Sequence, residues 1–343
     1  MTRRTISVET PIAHVVGPGK LKVINGRLAF ATKDASPVRL DPQSLEIILC
    51  YGNVGITDEA FNLLFQHSVA VAWMTTAGSR CRGRVSSADS NTTALRIAQH
   101  RALADPGKQL EIARSIVTEK IASQVIAARH YQRQGCAAAT NILTRLRDAH
   151  AQCDLAVTTD ALRGIEGTAS AAWFQLFGQL LLPPWHFTQR IRRPPTDPVN
   201  ALLSLGYTLL ASRVEASCAA FGLEVALGAL HEFRPGRPSL ACDLMESLRV
   251  PVVDRWALRL CNERYITPDD FTNQENNPGV CLHPSAFPRV IHAWEAHYQS
   301  GGHEKVLHSL IQGFISNVRR FGGPLNGAQA ETLSSSPTHL EPS

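Results

Sequence analysis

At 343 residues the chain exceeds a usual single domain, and a prior of about 150 residues per domain points to two units, each able to bury a core. Apolar residues make up 44% of it and charged residues 18%, which excludes global disorder. A net charge of +5 and a sequence pI near 8.8 permit an anionic partner without demanding one.

The opening MTRRTISVET has no apolar core of the kind a signal peptide needs, and the most apolar stretches are cut by Gln175, Gly178, Pro183 and Gly206. A cytoplasmic chain with no membrane span is expected. The eight cysteines lie far apart with no CxxC pair, as befits reduced thiols rather than a thiolate metal site.

Residues 1 to about 90 read as β-rich. The runs LKVI and RLAFAT flank Asn25-Gly26, a strong hairpin signal. Leu45–Leu49 and Val69–Met74 are apolar and strand-like, and between them Thr57 can cap a helix with Asp58 and Glu59 in its first turn. From about Thr92 the spacing becomes helical, as in LEIARSIVTEKIASQVIAARH. Asp197-Pro198 and Thr267-Pro268 each set a capping side chain before a proline, and Asp270 completes a capping box with Thr267, so two helix starts are expected there. Beyond about Gly322 the chain is rich in Gly, Ser, Thr and Pro, the composition of a disordered tail. The expected fold class is α+β: a small β-sandwich-like domain over 1–90, a larger all-helical catalytic domain over 91–321, and a tail over 322–343.

The densest polar stretch is GALHEFRPGRPSLACDLMESLRVPVVDR, residues 228–255. Ser239 can cap a helix on which Asp243 and Glu246 stand three apart, with Leu240, Leu244 and Leu248 as its apolar face. The turn Arg234-Pro235-Gly236-Arg237 is long enough for His231 to fold back beside those acids. One imidazole and two carboxylates around a point suit Mg²⁺ or Mn²⁺. On spacing alone, a solvated acidic face with a satisfied buried histidine is the commoner arrangement. Glu166, flanked by Gly164 and Gly167, reads either as a helix acid or as a residue beside a ligand that needs close backbone approach. Arg190, Arg192 and Arg193 precede two prolines on a loop whose guanidinium forks suit phosphates, or simply water.

Together these segments resemble the CRISPR-associated integrase family, protein one of the spacer-acquisition complex. The resemblance rests on Glu166-Gly167 with Trp173-Phe174, on Arg193-Pro194-Pro195-Thr196-Asp197-Pro198-Val199-Asn200, and on Leu230-His231 through Glu246. GNVGITDEAFNLL and KIASQV extend it to roughly residues 10 to 320, while Glu224-Val225 departs from the family's Asp-Pro. The resemblance implies that Glu166, His231 and Glu246 bind the metal and serve catalysis, with Asp243 joining or supporting them. It implies an N-terminal domain used for homodimerisation, DNA as substrate (spacer precursor and repeat array), and CRISPR-associated protein two as partner in a larger complex. DNA contacts are expected at Arg190, Arg192, Arg193, Arg234 and Arg237. The expected activity is metal-dependent spacer integration and endonucleolytic cleavage in antiviral defence. The alternatives are a nuclease that does not join strands and a non-catalytic DNA-binding scaffold.

Overall fold

In the computed structural model, residues 6–9, 12–33, 35–74, 81–87, 92–192, 194–274 and 277–323 are described. The N-terminal part runs β1 (Ile6–Glu9), β2 (Ile12–Val16), β3 (Gly19–Ile24), β4 (Arg27–Ala31), β5 (Val38–Arg39), β6 (Ile47–Tyr51), β7 (Val54–Ile56), α1 (Asp58–Gln66), β8 (Ala70–Met74) and β9 (Cys81–Val85). Asn25 and Gly26 both hold positive φ, 51° and 73°, as a two-residue primed turn requires, and they register β3 against β4. Thr57 caps α1 by accepting from the Ala60 N–H, with Asp58 and Glu59 at the positive end of the helix.

The strands form two sheets, one ordered β1-β2-β6-β8-β9 and the other β5-β4-β3-β7. In the first, β2, β6 and β8 are parallel to one another and the outer strands are antiparallel. Both faces of its central strands are buried, and the two-residue period divides the side chains between two cores. Ile48, Cys50 and Val71 pack with Leu21, Leu28 and Phe30 of the second sheet. Ile47, Leu49, Ala70 and Met74 join the core of the helical part. The core of the helical part therefore continues onto one face of the first sheet, across the composition change near residue 90.

The helices follow as α2 (Thr92–Ala104), α3 (Pro106–Arg133), α4 (Ala138–Gln152), α5 (Thr159–Leu180), α6 (Pro198–Ala220), α7 (Ser239–Leu244), α8 (Arg255–Asn262), α9 (Phe287–Ser300) and α10 (His303–Gly322). Asp197 caps α6 as expected, accepting from the Asn200 N–H at 2.8 Å. Two expectations change here. The capping box at Thr267 and Asp270 closes only a single 3-10 turn, Pro268–Asp270. An antiparallel hairpin follows, β10 (Phe271–Gln274) with β11 (Asn277–Leu282), so the larger part is not all-helical. The residues after the box, FTNQENNPGV, are poor helix formers, and a cap cannot propagate a helix through them. The expected tail lies outside the described residues from 324 onward. No helix among the described residues is long and apolar enough to cross a membrane.

Candidate active site

The loop carrying His231 is strapped to the helices before the site begins. Gln99 of α2 donates to the Glu224 and Leu227 carbonyls, Gln109 of α3 donates to the Ala229 carbonyl, and Arg163 of α5 donates to the Leu230 carbonyl. These bonds fix residues 224–230 against three helices, so His231 is presented from a stiff support.

Asp243 anchors that loop from the other side. It is fully buried, and its carboxylate accepts from the backbone N–H groups of Ala229 (2.6 Å), Leu230 (3.0 Å) and His231 (3.0 Å) and from His231 Nδ1 (2.6 Å). Four donors satisfy its lone pairs. Because an ionised carboxylate only accepts, Nδ1 must be the donor, and in the neutral imidazole the lone pair is then on Nε2. Gly228 is required by the same packing, since a Cβ there would lie 2.6 Å from Asp243 Oδ2. Ser239 does not cap α7 as expected. It is the first helical residue, and its hydroxyl donates to the Glu232 carbonyl at 2.9 Å.

Glu246 lies beyond the end of α7, in a 3-10 turn over Glu246–Leu248, and not on the same helix as Asp243. Its partners differ from those of Asp243. Its Oε2 is 2.6 Å from Lys120 Nζ on α3, and its Oε1 is 2.9 Å from Arg249 Nη2. Lys120 also pairs with Glu166, which projects from the middle of α5 and accepts from the Ser170 hydroxyl at 3.0 Å. The Lys120 and Glu246 side chains are each 4% exposed, and Glu166 is 21% exposed. Burial pushes the Glu246 carboxyl up, but Arg249 and then Lys120 outweigh it and hold the group at about 2. The helix surface beside Glu166 is open at Gly164 and Gly167, where an added Cβ would meet nothing within 4 Å.

The cluster continues through Arg249, whose guanidinium lies 4.9 Å over the Tyr207 ring. Tyr207 donates its hydroxyl to Asp254 Oδ1, and Trp173 Nε1 donates to Asp254 Oδ2 at 2.7 Å. Burial raises the Asp254 carboxyl to about 6 even with both donors and Arg249 opposing it. Arg249 and Asp254 bound a π-helical turn, Arg249–Asp254, that forms one wall of the site.

Of the four candidate metal-site residues, the structure joins Glu166 to Glu246 through Lys120 and joins His231 directly to Asp243. Sequence reasoning missed Lys120, Arg249, Asp254 and Tyr207. A signal existed for Lys120: it falls on the apolar stripe of α3, between Ile116, Val117 and Gln124, where a cation is costly unless paired.

The arginines expected to meet DNA fare differently. Arg190 is bound internally, donating to the Ile191 carbonyl, Asn200 Oδ1 and Ser204 Oγ, with its guanidinium 5.4 Å over Tyr207. Arg192 and Arg234 are exposed, and Arg237 is half-buried beside the Gly236 turn. None of these three carries an ion pair among the described residues. Arg193 lies outside the described residues.

Whether the site fits a divalent ion can be judged from its donors. Among the described residues no three His, Cys, Asp or Glu side chains converge on one point, and the Lys120 ammonium stands between the two glutamates. The chemistry nonetheless suits a hard cation. Two carboxylates already share one positive charge, Glu246 Oε2 is buried against the Lys120 ammonium, and a neutral His231 whose Nδ1 donates to Asp243 presents the lone pair of Nε2.

A family model described as CRISPR associated protein Cas1 matches residues 13–296. CRISPR-associated endonuclease Cas1 3 of Thermus thermophilus is 35% identical over 268 residues, covering 78% of this chain and 76% of that protein. CRISPR-associated endonuclease Cas1 2 of Rhodospirillum rubrum is 35% identical over 263 residues, covering 72% of this chain and 74% of the relative. Among solved structures, a casposase bound to integration product superposes with a TM-score of 0.71 at 20% identity, covering 91% of this chain and 95% of that one. A chain of a partial Cas6-RT-Cas1–Cas2 complex gives 0.68 at 24% identity, covering 90% and 98%. At these identities the structural likeness establishes the fold.

Proposed function

Because the chain belongs to the Cas1 family of CRISPR-associated proteins, we propose that it is a divalent-metal-dependent DNA integrase and endonuclease that inserts short DNA fragments into a CRISPR array. The observation that supports this most is the buried run Glu166, Lys120, Glu246 and Arg249, set beside an imidazole whose Nε2 is free because Asp243 occupies Nδ1. Glu166, His231 and Glu246 would hold Mg²⁺ or Mn²⁺, which when bound supplies Lewis-acid stabilisation of charge on the phosphate oxygens.

The chain's own residues have distinct tasks. Asp243 keeps the His231 ring in one tautomer and one orientation. Arg249 and Lys120 keep Glu246 ionised across the working pH range. Tyr207, held by Asp254, fixes the Arg249 guanidinium from its other face. In the reaction a DNA 3′-hydroxyl attacks a target phosphodiester, a new P–O bond forms as the old one breaks, and the displaced strand leaves with a 3′-hydroxyl. Water in place of the attacking hydroxyl gives cleavage. No protein nucleophile is needed, so Asp243 serves as a support and not as an attacking group.

The surrounding assembly follows the same reading: the N-terminal sheets serve homodimerisation, and two dimers flank a Cas2 dimer around a DNA duplex. A strand-transfer assay tests the activity. His231→Ala or Glu246→Ala should abolish Mn²⁺-dependent joining and cleavage while DNA affinity stays within about threefold, because affinity rests on phosphate contacts. Joining at the wild-type rate by either variant refutes the metal-site assignment, and cleavage by the wild type without any joining leaves a plain nuclease.

A further inference from the structure

The π-helical turn has an outer side as well as an inner one. Arg249 pairs with Glu246 and Asp254 accepts from Tyr207, while Pro251 and the next residue after the turn, Arg255, line two adjoining cavities. The cavities measure about 490 and 250 Å³ and have Tyr131, Pro251 and Arg255 in common. The end of α3, the start of α8 and the junction of α9 with α10 form their walls.

Their chemistry differs. The larger cavity is basic: Arg255 and Arg259 are exposed on α8, and His297 and His303 close the far side. Glu263 is its one lining carboxylate, 67% exposed and 4.0 Å from Arg259 Nε. Such a pair leaves the arginine charge largely uncompensated. Arg255 has no ion pair among the described residues, and His303 Nε2 is buried there with no hydrogen-bond partner. Burial first, then His303 and the two arginines, hold the His297 imidazole down to about 4, while its Nε2 bonds the Val252 carbonyl of the turn at 2.9 Å. The smaller cavity is apolar, with Ile126 left 68% exposed at its edge beside Val250 and Pro251. The Tyr131 ring stands where the two meet, with His130 edge-on at 5.2 Å.

A basic trough, an apolar pit and an aromatic ring at their junction match an unpaired nucleotide, which offers a phosphate and a bare base face together. A duplex keeps its base faces stacked inside and has nothing to place in the pit. We propose that this groove binds single-stranded DNA, with Arg255 and Arg259 on backbone phosphates and Tyr131 and the Ile126 pit receiving a base. The proposal rests on DNA being the substrate of this chain, and it places an unpaired strand against Arg255, the residue that follows Asp254.

Fluorescence anisotropy of the full chain in EDTA tests it, using a labelled thymidine oligonucleotide of about 12 nucleotides and a duplex of equal length. The double variant Arg255→Ala/Arg259→Ala should lose about tenfold or more in single-strand affinity. Its slope of log affinity against log salt should be shallower by roughly 1.4, the value for two phosphate contacts to a single strand. Duplex affinity should change less than about threefold. Ile126→Asp, at an exposed position, should weaken the single strand alone. Unchanged single-strand affinity and salt slope in the double variant overturn the proposal, as does an equal loss on both DNAs, which would mean diffuse electrostatics. Stabilisation of the wild type by inorganic phosphate, without any effect of the variants on the oligonucleotide, also overturns it and leaves a small-anion site. A wild type that binds neither DNA defeats both this inference and the proposed function, whereas a wild type that binds the single strand but not through these residues defeats the groove alone.

Discussion

Lys120→Met removes the ammonium that two carboxylates share and keeps much of the side chain's apolar length. Breaking one partner out of a buried pair typically costs about 3–5 kcal/mol, because the remaining charge is left without compensation. A carboxylate held at about 2 instead of its ordinary 4.5 contributes about 3 kcal/mol of folding stability, supplied by Arg249, Lys120 and His231 together, so the share of Lys120 is only part of that figure. The sign follows from the depressed value: this stability is present above about pH 4.5 and is lost as pH falls toward 2. In the variant Glu246 titrates higher, so less is left to lose on acidification. Urea unfolding in EDTA should therefore show the variant about 3–5 kcal/mol less stable at pH 7, with the gap narrowed by at least about 1 kcal/mol at pH 3. Added Mn²⁺ should stabilise the variant more than the wild type, since the competing ammonium is gone. An identical gap at both pH values would mean that Lys120 only fills space, and the electrostatic account of the site would fail.

Asp243→Asn presents an amide N–H₂ to backbone donors, removing about two bonds to a charged acceptor; a loss of roughly 3–6 kcal/mol is expected in urea unfolding, and a loss under about 1 kcal/mol would contradict the four-donor arrangement. Arg190→Ala should lower stability by about 2 kcal/mol through its internal bonds, whereas Arg192→Ala should leave stability alone and flatten the DNA salt slope by about 1; equal behaviour of the two in both assays would refute their separate roles. The Asp254 carboxyl, raised to about 6 from its ordinary 3.8, favours folding in its neutral form, and that contribution is lost as pH rises through 6. Because Trp173 donates to it, tryptophan emission should titrate with a midpoint near 6 in the wild type and not in Trp173→Phe; a titration that survives the substitution places the ionisation elsewhere.

Local signals marked the hairpin at Asn25-Gly26, the cap at Thr57 and the start of α6 at Asp197, because in each a few adjacent residues decide the backbone. The Thr267 box misled for the complementary reason. A cap stabilises a first turn, but continuation depends on the residues that follow, and FTNQENNPGV pairs with itself as a hairpin instead. The shared core was hidden because β6 and β8 are buried on both faces. An apolar run such as Ile47–Cys50 cannot show which of its faces meets the second sheet and which meets helices more than forty residues away.

The acids of the site were legible as types and spacing, and their partners were not. Asp243 and Glu246 look equivalent on a helix drawn through both, yet Asp243 meets the His231 loop while Glu246 meets Lys120 and Arg249. The consequence is a division of labour: one carboxylate is saturated by backbone donors and orients His231, while the other is left facing a cation. That cation comes from α3, some 126 residues earlier in the chain (246 − 120), and no local pattern can supply such a pairing. What the sequence does show is the cost that demands it, a lysine on the apolar stripe of a long helix. Apolar neighbours on that stripe cannot stabilise the charge, so a buried carboxylate has to come from elsewhere, and Glu166 and Glu246 are the two acids the fold delivers to it.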